Sequence, residues 1–181
     1  MSEQNNPQPE SKDKPNVFSK PISVLPTGVA SSNLQQVTDT ASPRLNNVSY
    51  SALIVDDNIA SQKLLALTLS MQPTIDVIDC ANCGENAIKK ANAKQYDLIL
   101  MDAMMPGIDG YETCARLREN PAYKDTPIIM VTGLTTPSDE IKAIIAGSTS
   151  FVTKPVQQVP FKELITRVLA LLEYKKTVRD L

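Results

Sequence analysis

The sequence predicts an α/β fold: a doubly wound, five-stranded parallel sheet with helices on both faces, preceded by a polar tail. Three observations predict it. Short β-rich runs recur five times between residues 51 and 153, helix-forming stretches fill the gaps between them, and four of the five runs stop on a charged or hydroxyl side chain. Apolar runs without polar alternation suit strands covered on both faces, as in parallel sheets. Alternating strand and helix signals at this density are the mark of βαβ units.

The first run, SALIV at 51–55, ends in Asp56-Asp57. A helix should follow, capped by Asp57 or Asn58, with Ala60, Leu64, Leu67 and Met71 as its apolar stripe. The second run is IDVID at 75–79, followed by helix formers at 84–94. The third, DLILM at 97–101, ends in Asp102. Pro106-Gly107 shapes the loop after it, and Asp109-Gly110 reads as a turn in which Gly110 tolerates an unusual φ. Tyr111, Ala115 and residues 116–118 then carry a third helix. The fourth run, PIIMV at 127–131, ends in Thr132, and Ser138 is placed to cap a helix running to Gly147. The fifth, SFVT at 150–153, ends in Lys154, and Phe161, Leu164, Ile165, Val168 and Leu172 form a wide final stripe.

Residues 1–48 differ in composition. They hold six of the 13 prolines, seven serines and six asparagines, with four acidic and four basic side chains in balance. So little apolar surface cannot offset the cost of ordering the chain, which predicts a disordered tail. Its moderately apolar piece, NVFSKPISVLPTGVA at 16–30, is either a linker or a short docking peptide. The domains expected are thus the tail at 1–48, a folded domain at 49–176 and a short C-terminal end at 177–181.

Composition narrows the functions. A net charge of −2 offers no basic field for nucleic acid or anionic lipid. The absence of histidine removes imidazole acid–base chemistry, imidazole metal ligation and a phosphohistidine of the chain's own. The polar start is unlike a signal peptide and no run is long enough for a membrane span, so a soluble, cytoplasmic protein is expected. Cys80 and Cys83 have C-x-x-C spacing, but three thiols without imidazole fall short of a closed zinc site, and reduced thiols are the plainer expectation.

The strand ends carry the functional signal. In an open parallel sheet the C-terminal strand ends share one edge, where ligands bind. That edge should gather Asp56, Asp57, Asp102, Thr132 and Lys154. Each has a dull explanation alone, as a cap, a turn residue or a solvated charge. Together, two carboxylates about 4 Å apart repel by roughly 4 kcal/mol at an effective dielectric near 20, so three of them call for a cation or for shifted pKa values. An oxygen-only site suits Mg²⁺. Carboxylate, Mg²⁺ and lysine together point to phosphoryl chemistry, with a carboxylate as nucleophile.

With LIVDDN (53–58), LILMDAMMPGIDGYE (98–112), PIIMVTG (127–133) and FVTKPV (151–156) in view, the chain resembles a two-component response-regulator receiver domain of the CheY-like type over about residues 50–175. The resemblance implies the flavodoxin-like strand order 2-1-3-4-5. It implies that Asp102 is phosphorylated by a phosphohistidine donor, a histidine kinase or a histidine phosphotransfer protein. It implies that Asp57, Asp102 and the backbone carbonyl of Met104 ligate Mg²⁺ while Asp56 supports the metal through water. Lys154 would pair with the phosphoryl group ahead of a cis bond to Pro155. Thr132 would swing to a phosphoryl oxygen, and Phe151 would turn inward with it. The output would be a face made of helix four, strand five and helix five, read by a downstream protein target. Enzymatic activity would be limited to self-phosphorylation and autodephosphorylation. Within the family, residues 110–133 are similar to stand-alone receivers of twitching-motility and chemotaxis pathways.

Departures from the family pattern carry expectations too. Gly133 follows Thr132 and should loosen that hinge, Ser148-Thr149-Ser150 replaces an acidic pair, and Val156 stands where phenylalanine is common. Apolar Met104 and Leu134 at the pocket mouth should impede hydrolytic water and lengthen the phosphoryl lifetime. A monomer is expected, and the width of the last stripe would also suit a homodimer through helices four and five on phosphorylation. Two other readings compete. A constitutive interaction module would need no phosphate, which the intact acidic set argues against. A haloacid-dehalogenase-like phosphatase wants an acid two residues after its nucleophile, where this chain has Met104.

Overall fold

The structure is a computed structural model that describes residues 48–181. Residues 1–47 of the predicted tail, with the candidate docking segment at 16–30, lie outside the described residues. The described residues form five strands: β1 Tyr50–Val55, β2 Ile75–Ala81, β3 Leu98–Met101, β4 Ile128–Thr132 and β5 Ser150–Thr153. Five α-helices alternate with them: α1 Ile59–Ser70, α2 Gly84–Ala93, α3 Gly110–Glu119, α4 Pro137–Ile145 and α5 Gln158–Arg179. The sheet order is β2-β1-β3-β4-β5, every pairing is parallel, and β1 and β3 register Val55 against Met101. This is the order the resemblance implies. No helix of the described residues is long and apolar enough to cross a membrane.

The unalternated runs are explained by two cores. Successive strand side chains point to opposite faces, so each run supplies both. Leu53, Val55, Ile99, Met101, Ile128 and Met130 pack with Ala87 and Ala91 of α2, Cys114 and Leu117 of α3 and Ala143 of α4. Ala52, Ile54, Leu98, Leu100, Ile129 and Val131 pack with Leu65 and Leu69 of α1 and with Phe161, Ile165 and Val168 of α5. Each fully buried large aliphatic side chain contributes roughly 1.5–3 kcal/mol over exposure, so the three central strands anchor the edge on which their polar ends sit.

Three local expectations are corrected. On α1 the stripe of Ala60, Leu64, Leu67 and Met71 faces outward; the buried residues are Leu65, Thr68 and Leu69. The helix is apolar nearly all round, so periodicity alone could not choose its inner face. On α4 the cap is Thr136, two residues before Ser138. Its side chain accepts from the Asp139 amide while the Asp139 carboxylate accepts from the Thr136 amide, a reciprocal capping box with Pro137 in the first turn. Gly110 has no positive φ; Gly107 and Gly147 do, at 83° and 89°. Helix α5 extends through residues 177–179.

Candidate functional site

Asp56 leaves β1 with its amide donating to the Ala81 carbonyl at 3.1 Å, so the end of β2 holds it in line with the strand. Its side chain is 1% exposed, and both carboxylate oxygens are engaged. Oδ1 accepts from the Asn58 amide at 2.8 Å; Oδ2 accepts from Ser61 Oγ at 2.5 Å and from Lys154 Nζ at 2.6 Å. Asn58, rather than Asp57, caps α1 through the amides of Ala60 and Ser61. Asp57 is left exposed, with no hydrogen bond or ion pair among the described residues.

Asp102 leaves β3 with its amide donating to the Val55 carbonyl at 2.8 Å. A Cβ on Gly110 would lie 1.9 Å from the Asp102 carbonyl oxygen. Close approach of α3 to the strand end, and no need for a left-handed φ, is therefore what requires glycine there. Asp109 caps α3, its carboxylate accepting from the Glu112 amide at 2.8 Å, which is the structural part expected of it. The Asp102 carboxylate accepts from the Met104 amide at 3.2 Å and from Lys154 Nζ at 2.7 Å.

One oxygen from each of Asp56, Asp57 and Asp102 lies within 4.8 Å of the others, a grouping spread over two strand ends. Lys154 reaches two of these three carboxylates from the end of β5, which is aligned because its amide donates to the Thr132 carbonyl at 2.8 Å. The Lys154–Pro155 bond is cis. Burial, the largest influence on the ammonium, works against its charge; hydrogen bonds to Asp102 and Asp56 outweigh burial and hold the Lys154 pKa above its ordinary value.

Thr132 ends β4 fully buried, and its hydroxyl accepts from the Leu134 amide at 3.3 Å instead of engaging Asp102. Phe151 is partly buried on β5, opposite Met130 in register, on the α2–α3–α4 side of the sheet. Met104 is 59% exposed beside Asp102, and Leu134 is partly exposed after β4. Of the residues expected at the site, the structure thus draws Asp56, Asp57, Asp102 and Lys154 into one cluster and leaves Thr132 and Phe151 next to it.

Sequence reasoning missed a supporting layer. Ser61 holds Asp56, and Gln62 Nε2 donates to the carbonyls of Asp56 at 2.6 Å and Ala81 at 3.3 Å, tying the ends of β1 and β2 to α1. Glu85 at the start of α2 accepts from the Ile108 amide at 3.3 Å, bracing the β3–α3 loop. Ser61 and Gln62 follow Asp56 by one helical turn beyond the cap, which was the only signal available. Cys80 of the C-x-x-C pair ends up in β2 with its thiol pKa pushed up by burial and by Asp79, Cys83 precedes α2, and all three cysteines are free.

The donor set fits a magnesium ion. It is all oxygen, it carries more negative charge than one ammonium balances, and its most open member, Asp57, has its carboxylate free for direct ligation. Asp56, with both oxygens already occupied, fits support through water better than direct ligation.

The profile of the family described as "Response regulator receiver domain" matches residues 52–168. The chain is 32% identical over 134 residues to response regulator PleD of Caulobacter vibrioides, an alignment that covers 74% of this chain and 28% of PleD. It is 39% identical over 120 residues to transcriptional regulatory protein ResD of Bacillus subtilis, covering 66% of this chain and 47% of ResD. It therefore spans less than half the length of these two relatives. Among solved structures, the chemotaxis protein CheY4 of Vibrio cholerae superposes with a TM-score of 0.61 at 30% identity, covering 66% of this chain and 98% of CheY4.

Proposed function

The chain belongs to the response-regulator receiver domain family, and on that premise we propose that it accepts a phosphoryl group on Asp102 from a phosphohistidine of another protein and passes the signal on through a change of surface. The observation that carries this reading is the bridging of Asp56 and Asp102 by Lys154 beside an exposed Asp57. A carboxylate oxygen of Asp102 attacks phosphorus as the phosphorus–nitrogen bond of the donor breaks, and the imidazole departs with the donor. The donor is a histidine kinase or a histidine phosphotransfer protein, because this chain has no histidine.

Asp57, Asp102 and the Met104 carbonyl would hold Mg²⁺, with Asp56 behind them. The ion, when bound, supplies positive charge against the phosphoryl oxygens. Lys154 moves its ammonium from the Asp102 carboxylate to a phosphoryl oxygen, and keeps Asp56 as its second partner. Thr132 exchanges the Leu134 amide for another phosphoryl oxygen, and the β4–α4 loop follows. Phosphorylation replaces one negative charge with about two and adds acceptor oxygens. These contacts exist in only one of the two surface arrangements, and therefore shift the population toward it.

The output face in this reading is α4, β5 and α5. Ile141, Ile144 and Ile145 stand exposed along α4, and a groove of about 430 Å³ runs between β5 and α5, lined by Phe151, Val152, Pro155, Phe161 and Leu164 among others. Such apolar exposure suits a protein target or a second copy of the domain. The chain turns over no separate substrate in this reading; its chemistry begins and ends on its own aspartate.

Labelling by a small phosphodonor such as acetyl phosphate tests the proposal. Incorporation should need Mg²⁺, yield an acid-stable, hydroxylamine-labile acyl phosphate, and vanish in Asp102→Asn. Undiminished labelling of Asp102→Asn would overturn the assignment, and a chain whose partners bind equally with and without beryllofluoride would be a constitutive interaction module instead.

A further inference from the structure

Tyr111 is the second residue of α3, and its hydroxyl is buried with no hydrogen-bond partner among the described residues. Its ring packs against the same core as Phe151, a core that includes Ala143 of α4. A buried phenol normally finds an acceptor, so an orphan at this place has to be accounted for. A candidate acceptor lies on α4. Asp139 is buried in the first turn of α4, and its Oδ2 is fully used by the Thr136 amide and hydroxyl at 3.2 and 2.6 Å. Its Oδ1 has only the Lys142 ammonium, at 3.9 Å, which is beyond hydrogen-bond length. After burial, Asp139 is the strongest influence on the Tyr111 phenol, ahead of Asp109 and Asp102, and together they push its pKa up.

We propose that Tyr111 is a positioning residue of the switch: when the β4–α4 loop follows Thr132 toward a phosphoryl group on Asp102, the Tyr111 hydroxyl takes Asp139 Oδ1 as its acceptor and holds the first turn of α4 in its shifted place. The Tyr111 hydroxyl, a buried donor left without a partner, makes the resting arrangement the worse-satisfied one. The capping box makes Asp139 a faithful reporter of helix position, since its other oxygen is bound to the backbone of the helix start. Gly133 leaves the loop between Thr132 and that cap free to move: a Cβ there would meet nothing within 4 Å. The new bond forms in only one state and so favours that state. The inference rests on the reading of Asp102 as the phosphorylated residue.

Tyr111→Phe removes the hydroxyl and keeps the ring. Beryllofluoride binding in Mg²⁺, followed by calorimetry on the full chain, should weaken by about tenfold, the worth of one hydrogen bond to a charged group. Thermal stability without beryllofluoride should stay the same or rise, because a buried orphan has been deleted. A purely packing role for Tyr111 predicts unchanged beryllofluoride affinity, because the ring that packs is kept. Asp139→Asn, which keeps the cap's acceptor oxygen, should weaken binding similarly, and the double variant should be no weaker than the poorer single one. Equal beryllofluoride affinity in wild type and Tyr111→Phe, or additive losses in the double variant, would overturn the role of Tyr111 alone. Failure of the wild type to bind beryllofluoride would overturn the reading of Asp102 on which it stands.

Discussion

Lys154 donates from one ammonium to Asp56 at 2.6 Å and to Asp102 at 2.7 Å, joining residues 98 and 52 positions away in the chain. Among the described residues Lys154 is the only cation paired with either carboxylate. Replacing Lys154 by Met should therefore cost about 1–3 kcal/mol of unfolding free energy, below the range for a fully buried pair because the side chain is 24% exposed. The loss should shrink when Mg²⁺ is added, since the ion supplies the charge that Lys154 withdrew. Urea denaturation of both proteins with and without Mg²⁺ checks this. A loss that is the same in both conditions would count against a metal among these carboxylates.

The same lysine sets an alkaline limit. Its folded pKa is raised above the unfolded value near 10.5. Its contribution is therefore fully present below that unfolded value and is lost as pH rises through the folded one. Wild type and Lys154→Met should differ by a constant amount from pH 7 to about 10 and converge above it. Denaturation midpoints across this range read the effect, and a gap that closes well below pH 9 would be inconsistent with it.

Two glycines next to the site should respond in opposite ways to alanine. At Gly110 the added carbon meets the Asp102 carbonyl oxygen at 1.9 Å, a backbone atom that cannot swing aside. Gly110→Ala should destabilise by about 3 kcal/mol or more and impair phosphorylation, as α3 and Asp102 are forced apart. At Gly133 nothing lies within 4 Å and φ is not positive. Gly133→Ala should stabilise by about 0.4–1 kcal/mol through the unfolded chain, while slowing the response of the Thr132 loop. Phosphorylation kinetics alongside denaturation separate the two effects.

The inner face of α1 can be tested by packing. Leu65→Ala or Leu69→Ala should cost about 2–5 kcal/mol. Leu67→Lys and Met71→Lys, on the exposed side, should stay within about 0.5 kcal/mol of wild type. Thermal melts of the four variants suffice, and a large loss from Leu67→Lys would mean the outward face is covered by something.

Met104 stands exposed beside Asp102 and Leu134 follows the Thr132 loop. If these apolar side chains shield the acyl phosphate, Met104→Asn with Leu134→Glu should speed autodephosphorylation severalfold, by admitting and orienting water. Loss of radiolabel over time measures the rate. An unchanged half-life would remove the shielding role.

The strand runs and their polar ends were legible because both depend on local sequence. Leu98 to Met101 is apolar at every position, and Asp102 can follow such a run only at a sheet edge. What stayed hidden depends on tertiary context. Ile59, Leu64, Leu65, Leu67, Leu69 and Met71 make α1 apolar in every direction, so its inner face was set by the sheet and by α5. Thr136 and Ser138 are both plausible caps, and the reciprocal partner Asp139 favoured the first. Gly110 looked like a turn glycine because the oxygen that demands it comes from a residue eight positions earlier. Ser61 and Gln62 were unremarked because their partners, Asp56 and Ala81, become neighbours only once β1 and β2 pair.

The seating of Gly110 on the Asp102 carbonyl has a mechanical meaning. With its amide bonded to Val55 and its carbonyl pressed by α3, Asp102 is the fixed jaw of a vice. The opposite jaw, Thr132 to Thr136, has slack at Gly133. Under the proposed phosphorylation, a load placed on Asp102 would meet a rigid backbone there, and displacement would fall to the side that leads to α4.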